Sequence, residues 1–214
     1  MQLANYFYYF PKAVPERICD DIVKYALSFK DQQALTGRHQ AQDAVKTPNL
    51  SEKDMKDLKK QRDSNVVWLD DRWIYREIHP YVHQANTLAK WNFQWDYSEK
   101  CQFTRYDKGQ FYDWHCDGWP GAYDLPMDPG RHGKVRKLSV TVSLSDENAY
   151  SGGDFEVDFR NVEPDQPPQT RIIKEIRPKG SLIVFPADLW HRVTPVKKGH
   201  RYSLVIWNLG APFK

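Results

Sequence analysis

From residue 98 onward the chain is cut into about eight short apolar stretches by recurring turn signals, and this punctuation limits the fold more than any other feature. The breaks are Lys108-Gly109, Ser151-Gly152-Gly153, Pro164 to Pro168, Lys179-Gly180 and Lys198-Gly199. The strands they delimit are expected at 100–106, 110–116, 135–145, 154–159, 170–177, 181–185, 191–196 and 200–208. Short strands so spaced suggest a sandwich, jelly roll or barrel. Phe, Trp and Tyr make up 14% of the 214 residues. Such a content excludes wholesale disorder and favours strands.

Before residue 98 the pattern is mostly helical. Asn5 to Phe10 reads as a first strand ended by Pro11. Pro15 to Phe29 reads as a helix, with Ile18, Ile22, Tyr25, Ala26 and Phe29 on one face and Pro15 in its first turn. Residues 31–50 are polar and aperiodic, as expected of a loop. Ser51 to Arg62 is a charged helix whose Ser51 and Asp54 resemble a capping box. Val66 to Leu69 is a short strand. Asp71 to Lys90 carries an apolar stripe from Trp73 to Leu88, and Pro80 is expected to kink or split that helix.

The charges nearly balance, with 31 basic against 28 acidic residues, and no concentrated basic patch points to nucleic acid. The 3 cysteines, Cys19, Cys101 and Cys116, form no close pair, which fits a reducing compartment. No run is long enough to span a membrane. The first residues lack a basic start and a small-residue cleavage site, so the expectation is a cytoplasmic protein.

The segment that carries chemistry is RYDKGQFYDWHCDG, residues 105–118. On a strand, His115 and Asp117 point to the same face, so an imidazole and a carboxylate can reach one metal. His191, opening a strand in FPADLWHRVTP, is the candidate third ligand. Two histidines and one carboxylate with open positions form the facial triad of non-haem Fe(II) oxygenases. The His-x-Asp spacing alone does not distinguish Fe(II) from Mn(II), Ni(II) or Zn(II).

Ten residues after His191 stands Arg201, which alternates with Ser203, Val205 and Trp207 on one strand face. Leu204 and Ile206 make the other face apolar too, as in a strand buried on both sides. A buried arginine needs an anion, and its planar fork suits a carboxylate. In Leu138 to Ser145, Val140, Val142 and Leu144 oppose Ser139, Thr141 and Ser143. Taken alone that alternation reads as a half-exposed strand. The other reading is a small-polar wall lining an internal pocket. Trp207 is open to two readings as well, a wall of the metal pocket or simple core packing.

Together these residues resemble the 2-oxoglutarate/Fe(II)-dependent oxygenases, in particular the prolyl 4-hydroxylase-like branch of bacteria and phages. The resemblance rests on Tyr106 with Gly109, His115-Cys116-Asp117, Ser151-Gly152-Gly153-Asp154-Phe155, Lys179 to Phe185, Trp190-His191-Arg192-Val193 and Arg201-Tyr202-Ser203. It implies a mainly β (α+β) fold, a double-stranded β-helix or jelly roll with supporting N-terminal helices. One domain, 1–214, is expected, with a helical support region at 1–97 and the catalytic jelly roll at 98–210.

The resemblance further implies iron on His115, Asp117 and His191, and 2-oxoglutarate with its far carboxylate on Arg201. Ser203 and Tyr106 would support that carboxylate, with Thr141, Ser143 and Trp207 completing the cosubstrate pocket. In relatives the position of Ser143 is often a tyrosine. The implied reaction consumes dioxygen, converts 2-oxoglutarate to succinate and carbon dioxide, and hydroxylates a C–H bond, with ascorbate as a candidate reductant.

For the substrate, the resemblance points to a prolyl residue in a peptide or protein. The candidate contacts are Trp119, Tyr123, Arg131 and Trp190, since aromatic-lined grooves suit proline-containing ligands. The loop 118–134 and the segment 31–50 are candidate lids. A small-molecule hydroxylase, for example of a free amino acid, is the alternative. A nucleic-acid demethylase of the AlkB type would carry an Arg at position 207, where this chain has Trp. A non-catalytic jelly-roll binding protein would have lost a ligand, and all three are present. Monomer and homodimer are not separated by the sequence.

Overall fold

The computed structural model describes residues 2–34, 52–118, 121–160, 167 and 169–214. Most of the segment 31–50, Ser51 with its capping box, and Trp119 therefore lie outside the described residues.

Three helices are described, α1 (Glu16–Leu27), α2 (Glu52–Gln61) and α3 (Arg72–Leu88). The first strands are β1 (Tyr8–Phe10), β2 (Gln32–Gln33), β3 (Arg62–Asp63), β4 (Asn65–Leu69) and β5 (Tyr97–Ser98). They are followed by β6 (Cys101–Tyr106), β7 (Phe111–His115), β8 (Val135–Ser143), β9 (Tyr150–Gly152) and β10 (Phe155–Asp158). The chain closes with β11 (Thr170–Ile172), β12 (Leu182–Pro186), β13 (Trp190–Val193), β14 (Val196–Gly199) and β15 (Arg201–Gly210).

Two antiparallel sheets form the jelly roll. The larger has the order β1-β12-β8-β15-β6-β4-β2, with β5 paired to β15, and the smaller has β11-β10-β13-β7-β3. Strands from before residue 98 thus extend both sheets. One core lies between the larger sheet and the helices: Ile22 and Ala26 of α1 and Ile74, Ile78 and Val82 of α3 meet Leu138, Val140, Val142, Leu204 and Ile206. A second core lies on the inner side, where Phe155, Val157, Ile183, Phe185 and Val193 meet Tyr106.

This double coverage overturns the half-exposed reading of 138–145. Leu138, Val140 and Val142 face the helices, while Ser139, Thr141 and Ser143 are themselves 0%, 4% and 4% exposed. Alternation along a strand tells its two faces apart, but it cannot tell water from a polar interior.

Two other expectations change. The strand expected at 170–177 stops at Ile172 and continues as a 3-10 turn, Lys174–Ile176. That turn sends Ile173 and Ile176, three apart, to the same inner core. Helix α3 runs through Pro80 without a break. Pro80 is exposed, and the packing of Ile74, Ile78 and Val82 offsets the hydrogen bond it removes. All three cysteines are free.

Candidate metal centre

β13 and β7 pair antiparallel so that His191 lies directly across from His115. The chain leaves β7 in a bend at Asp117, and this bend is fastened to the turn that precedes His191. The backbone N–H groups of Asp117 and Gly118 both donate to the Ala187 carbonyl, at 2.9 and 2.7 Å. The three candidate ligands are therefore tied together by main chain before their side chains meet.

The side chains meet closely. Their ligand atoms all lie within 4.8 Å of one another, and this is a metal-competent cluster among the described residues. Nε2 of His115 is 3.8 Å from Asp117 Oδ1, and Nε2 of His191 is 3.7 Å from Oδ2. These separations are too long for direct hydrogen bonds. The far nitrogens are committed elsewhere: His115 Nδ1 lies 2.7 Å from the Asp113 carbonyl and His191 Nδ1 2.9 Å from that of Leu189. A carbonyl only accepts, so each Nδ1 carries the proton and each Nε2 turns a lone pair toward Asp117.

Asp117 Oδ2 is buried and has no hydrogen-bond partner among the described residues. An orphaned carboxylate oxygen between two imidazole lone pairs fits a divalent cation, and the N/O donor set suits iron. Burial alone would raise the Asp117 carboxyl, but positive charge beside it, on the imidazoles of His191 and His115 when they are protonated and on the guanidinium of Arg136, more than offsets it. Its pKa lies below the ordinary value. Burial, reinforced by His191, holds the His115 imidazole well below its usual range, in the neutral form a metal needs.

The cavity between the sheets is lined by the three ligands and by Tyr106, Thr141, Arg201, Ser203 and Trp207 of the expected set. Arg201 pairs in register with Tyr106, and Ser203 with Ser143 on its other side. Arg201 is 3% exposed, donates to Ser203 Oγ at 3.2 Å, and has no carboxylate partner among the described residues. Ser143 sits past this group, its hydroxyl donating to the Ile176 carbonyl at 2.6 Å. Trp207 is buried, and its indole N–H has no hydrogen-bond partner among the described residues.

Of the expected substrate-facing residues, the three described ones, Tyr123, Arg131 and Trp190, do not line this cavity. The Tyr123 hydroxyl donates to Glu99, and Arg131 donates to Asp128. Trp190 turns to the opposite side of β13, where it packs under the Arg160 guanidinium at 3.9 Å in a groove of about 390 Å3. Other cavity residues carry no local signal in the sequence. Tyr112 stacks on His115 with ring centroids 3.5 Å apart. Arg62, 1% exposed, lies 4.5 Å above Tyr112 and donates to Ser64 and Gln102. Arg62 stands in the charged run LKKQRDS, which reads as solvated until β3 pairs with β7.

Two histidines and a carboxylate inside a jelly roll, with a buried arginine lining the same cavity, are the donor set of a mononuclear non-haem metal site beside a candidate anion-binding group. The family model of the 2OG-Fe(II) oxygenase superfamily matches residues 101–208, half of the chain, and the chain belongs to that superfamily. Its cofactors are accordingly Fe(II) and 2-oxoglutarate.

A PKHD-type hydroxylase of Methylobacterium nodulans is 33% identical over 107 residues, 50% of this chain and 41% of that protein. One from Bordetella pertussis is 32% identical over 106 residues, 49% of this chain and 41% of that protein. The chain thus matches about two fifths of the length of these relatives. A Pseudomonas putida prolyl-4-hydroxylase shares the fold, with a TM-score of 0.64 and 16% identity over 96% of this chain and 94% of that one. So does the viral collagen prolyl hydroxylase of Paramecium Bursaria Chlorella virus-1 in its 2OG complex, with a TM-score of 0.59, 19% identity, and 96% and 97% coverage. A Trichoplax adhaerens prolyl hydroxylase in complex with a hypoxia inducible factor peptide fragment also has a TM-score of 0.59, with 16% identity over 95% of this chain and 83% of that one. No described helix is long and apolar enough to cross a membrane.

Proposed function

We propose that this chain hydroxylates a prolyl residue in a peptide or protein, converting 2-oxoglutarate to succinate and carbon dioxide. In this reading His115, Asp117 and His191 hold the iron, and Arg201 with Ser203 holds the far carboxylate of 2-oxoglutarate. The observation that carries it is Arg201, buried, without a carboxylate partner among the described residues, and lining the same cavity as the three ligands. Burying a guanidinium without a counter-ion is costly, and a dicarboxylate that reaches from the metal removes the cost.

When bound, iron and 2-oxoglutarate together supply the oxidising power for inserting one oxygen atom into a C–H bond. The chain's own residues do the rest. The Asp113 and Leu189 carbonyls hold the Nδ1 protons and so keep both imidazoles facing the metal. Ser203 orients the Arg201 fork. Phe155 and Phe185 pack against the His191 ring and keep water from its flank. The prolyl reading is supported by the hydroxylase relatives and by the prolyl hydroxylases that share the fold, one of them carrying a peptide. Trp190, which lines a separate groove on the other side of β13 with Asp188 and Leu189, is a contact for parts of the peptide beyond the reacting residue.

The test is Fe(II)-dependent release of succinate from 2-oxoglutarate, expected in wild type and lost in His115→Ala. A wild-type chain that binds no Fe(II) and consumes no 2-oxoglutarate would sink the enzymatic reading. Mass spectrometry of a lysate incubated with the enzyme should then find hydroxyproline in protein. Hydroxylation of free amino acids alone would replace the prolyl reading with the small-molecule one.

A further inference from the structure

The composition of 118–134 reads as a lid, yet its described part is fastened down. Tyr123 and the far side of the loop close a neck through two backbone bonds, Tyr123 N–H to the Lys134 carbonyl and Gly133 N–H to the Tyr123 carbonyl, both 2.9 Å. Outside the neck, Lys134 Nζ lies 2.7 Å from Asp96. Beneath it, the Tyr123 hydroxyl donates to Glu99 Oε1 at 2.9 Å.

Glu99 leads directly to the metal centre. It is 0% exposed and receives Arg136 side-on, Nε on Oε1 at 2.8 Å and Nη2 on Oε2 at 2.7 Å. The remaining arm of Arg136 donates to the backbone carbonyl of Asp117 at 3.3 Å. The guanidinium plane lies 3.8 Å over the Trp207 ring. One rigid fork therefore touches the loop's anchor on one edge, a candidate metal ligand on another, and the indole that walls the cavity on its face.

We infer that Tyr123 is a positioning residue for the metal centre: through Glu99 and Arg136 it sets the turn that carries Asp117 and the orientation of Trp207. The inference rests on the reading of Asp117 as a metal ligand. The physical argument is one of freedom. A bidentate pair fixes the two groups relative to each other, but both can still swing together. The phenol holds the carboxylate end of the pair and narrows that swing. Because the pair is buried and mutually neutralised, losing the phenol leaves the charges matched and the fold intact. What changes is the aim of the fork, and with it the position of the Asp117 carbonyl. Groups that orient metal ligands from behind are worth about 10- to 100-fold in metal affinity. An anchor acting through two intermediaries belongs at the low end of that range.

The test is calorimetric titration of Mn(II), a redox-stable stand-in for Fe(II), into wild type, Tyr123→Phe, Glu99→Asp and Lys134→Met. Tyr123→Phe should bind Mn(II) about 10-fold more weakly while melting close to wild type. Glu99→Asp, which keeps the charge but retracts the carboxylate, should weaken the metal at least as much. Lys134→Met loosens the same loop from outside without touching Glu99, and should leave the affinity within about twofold. The inference is overturned if Tyr123→Phe binds Mn(II) as wild type does, or if Lys134→Met weakens binding equally, since that would make loop packing the only role. A wild-type chain that takes up no Mn(II) would remove the metal-site reading and this inference with it; unchanged binding in Tyr123→Phe removes the inference alone.

Discussion

Replacing Arg201 by Met should separate stability from cosubstrate binding, with opposite signs. Arg201 is 3% exposed, and among the described residues its side chain donates to a neutral hydroxyl, Ser203 Oγ at 3.2 Å, and to no carboxylate. Without 2-oxoglutarate the guanidinium is a buried charge lacking a counter-ion, so Met of similar length should melt no lower than wild type and can melt higher. With 2-oxoglutarate the balance inverts. A guanidinium and a carboxylate 4 Å apart interact by about 4 kcal/mol at an effective dielectric of 20, or roughly 10³-fold in affinity.

The assay is a thermal melt of each protein with Mn(II), with and without 2-oxoglutarate at 100 times the wild-type dissociation constant. Wild type should gain about 2.7 kcal/mol from the ligand, which is roughly 5–11 °C for a chain of this size. Arg201→Met, at a tenth of its own dissociation constant, should gain less than about 0.1 kcal/mol. A variant that keeps the ligand-dependent shift refutes the assignment of Arg201. A variant that loses many degrees in the absence of ligand refutes the argument that the charge is uncompensated.

Three further outcomes follow from the same physics. Gly153→Ala should weaken 2-oxoglutarate at least tenfold in the same melt, because φ is +62° there and an added Cβ would stand 2.9 Å from Arg201 Cδ. Pro80→Ala should raise the melting temperature, since it restores a backbone donor inside α3; the gain is bounded by about 3 kcal/mol. Burial, with His83 adding to it, depresses His79, whose Nε2 lies 3.1 Å from Ser98 Oγ. The unfolded chain therefore binds the His79 proton more readily than the folded one. This contribution to stability is present above the ordinary value of 6.5 and fades as pH falls below it. In melts from pH 8 to 5, His79→Gln should flatten that part of the slope, and an unchanged slope would remove His79 as a source.

The parts legible in the sequence are those whose information is local. Period-two patterns bounded by Gly and Pro mark the strands, and β6, β7, β8, β12 and β15 begin and end within two residues of expectation. The alternation of Arg201 with Trp207 also survives folding because a strand preserves it, whereas Asp117 meets His115 from a bend just past the end of β7, fastened to the Ala187 carbonyl. His191 was legible as a candidate because it follows a turn on a strand. Only pairing with β7 brings it directly opposite His115.

What tertiary structure decided is which faces are covered, and by what. Ser139, Thr141 and Ser143 look like a solvent face until helices close one side of β8 and the smaller sheet closes the other. Arg62 belongs to a charged run and is buried by a strand pair formed fifty residues away in sequence, with Tyr112. Likewise Tyr123 reads as a candidate substrate contact in a long loop, and nothing local in the sequence marks Glu99 as its partner. Their meeting with Arg136 depends on three segments converging at one end of the cavity. The sequence by itself determined the chemistry available, a candidate metal-ligand triad and a candidate carboxylate-binding arginine. The fold determined their surroundings, because the free energy of a buried charge or hydroxyl depends on neighbours distant in sequence, which local periodicity cannot specify.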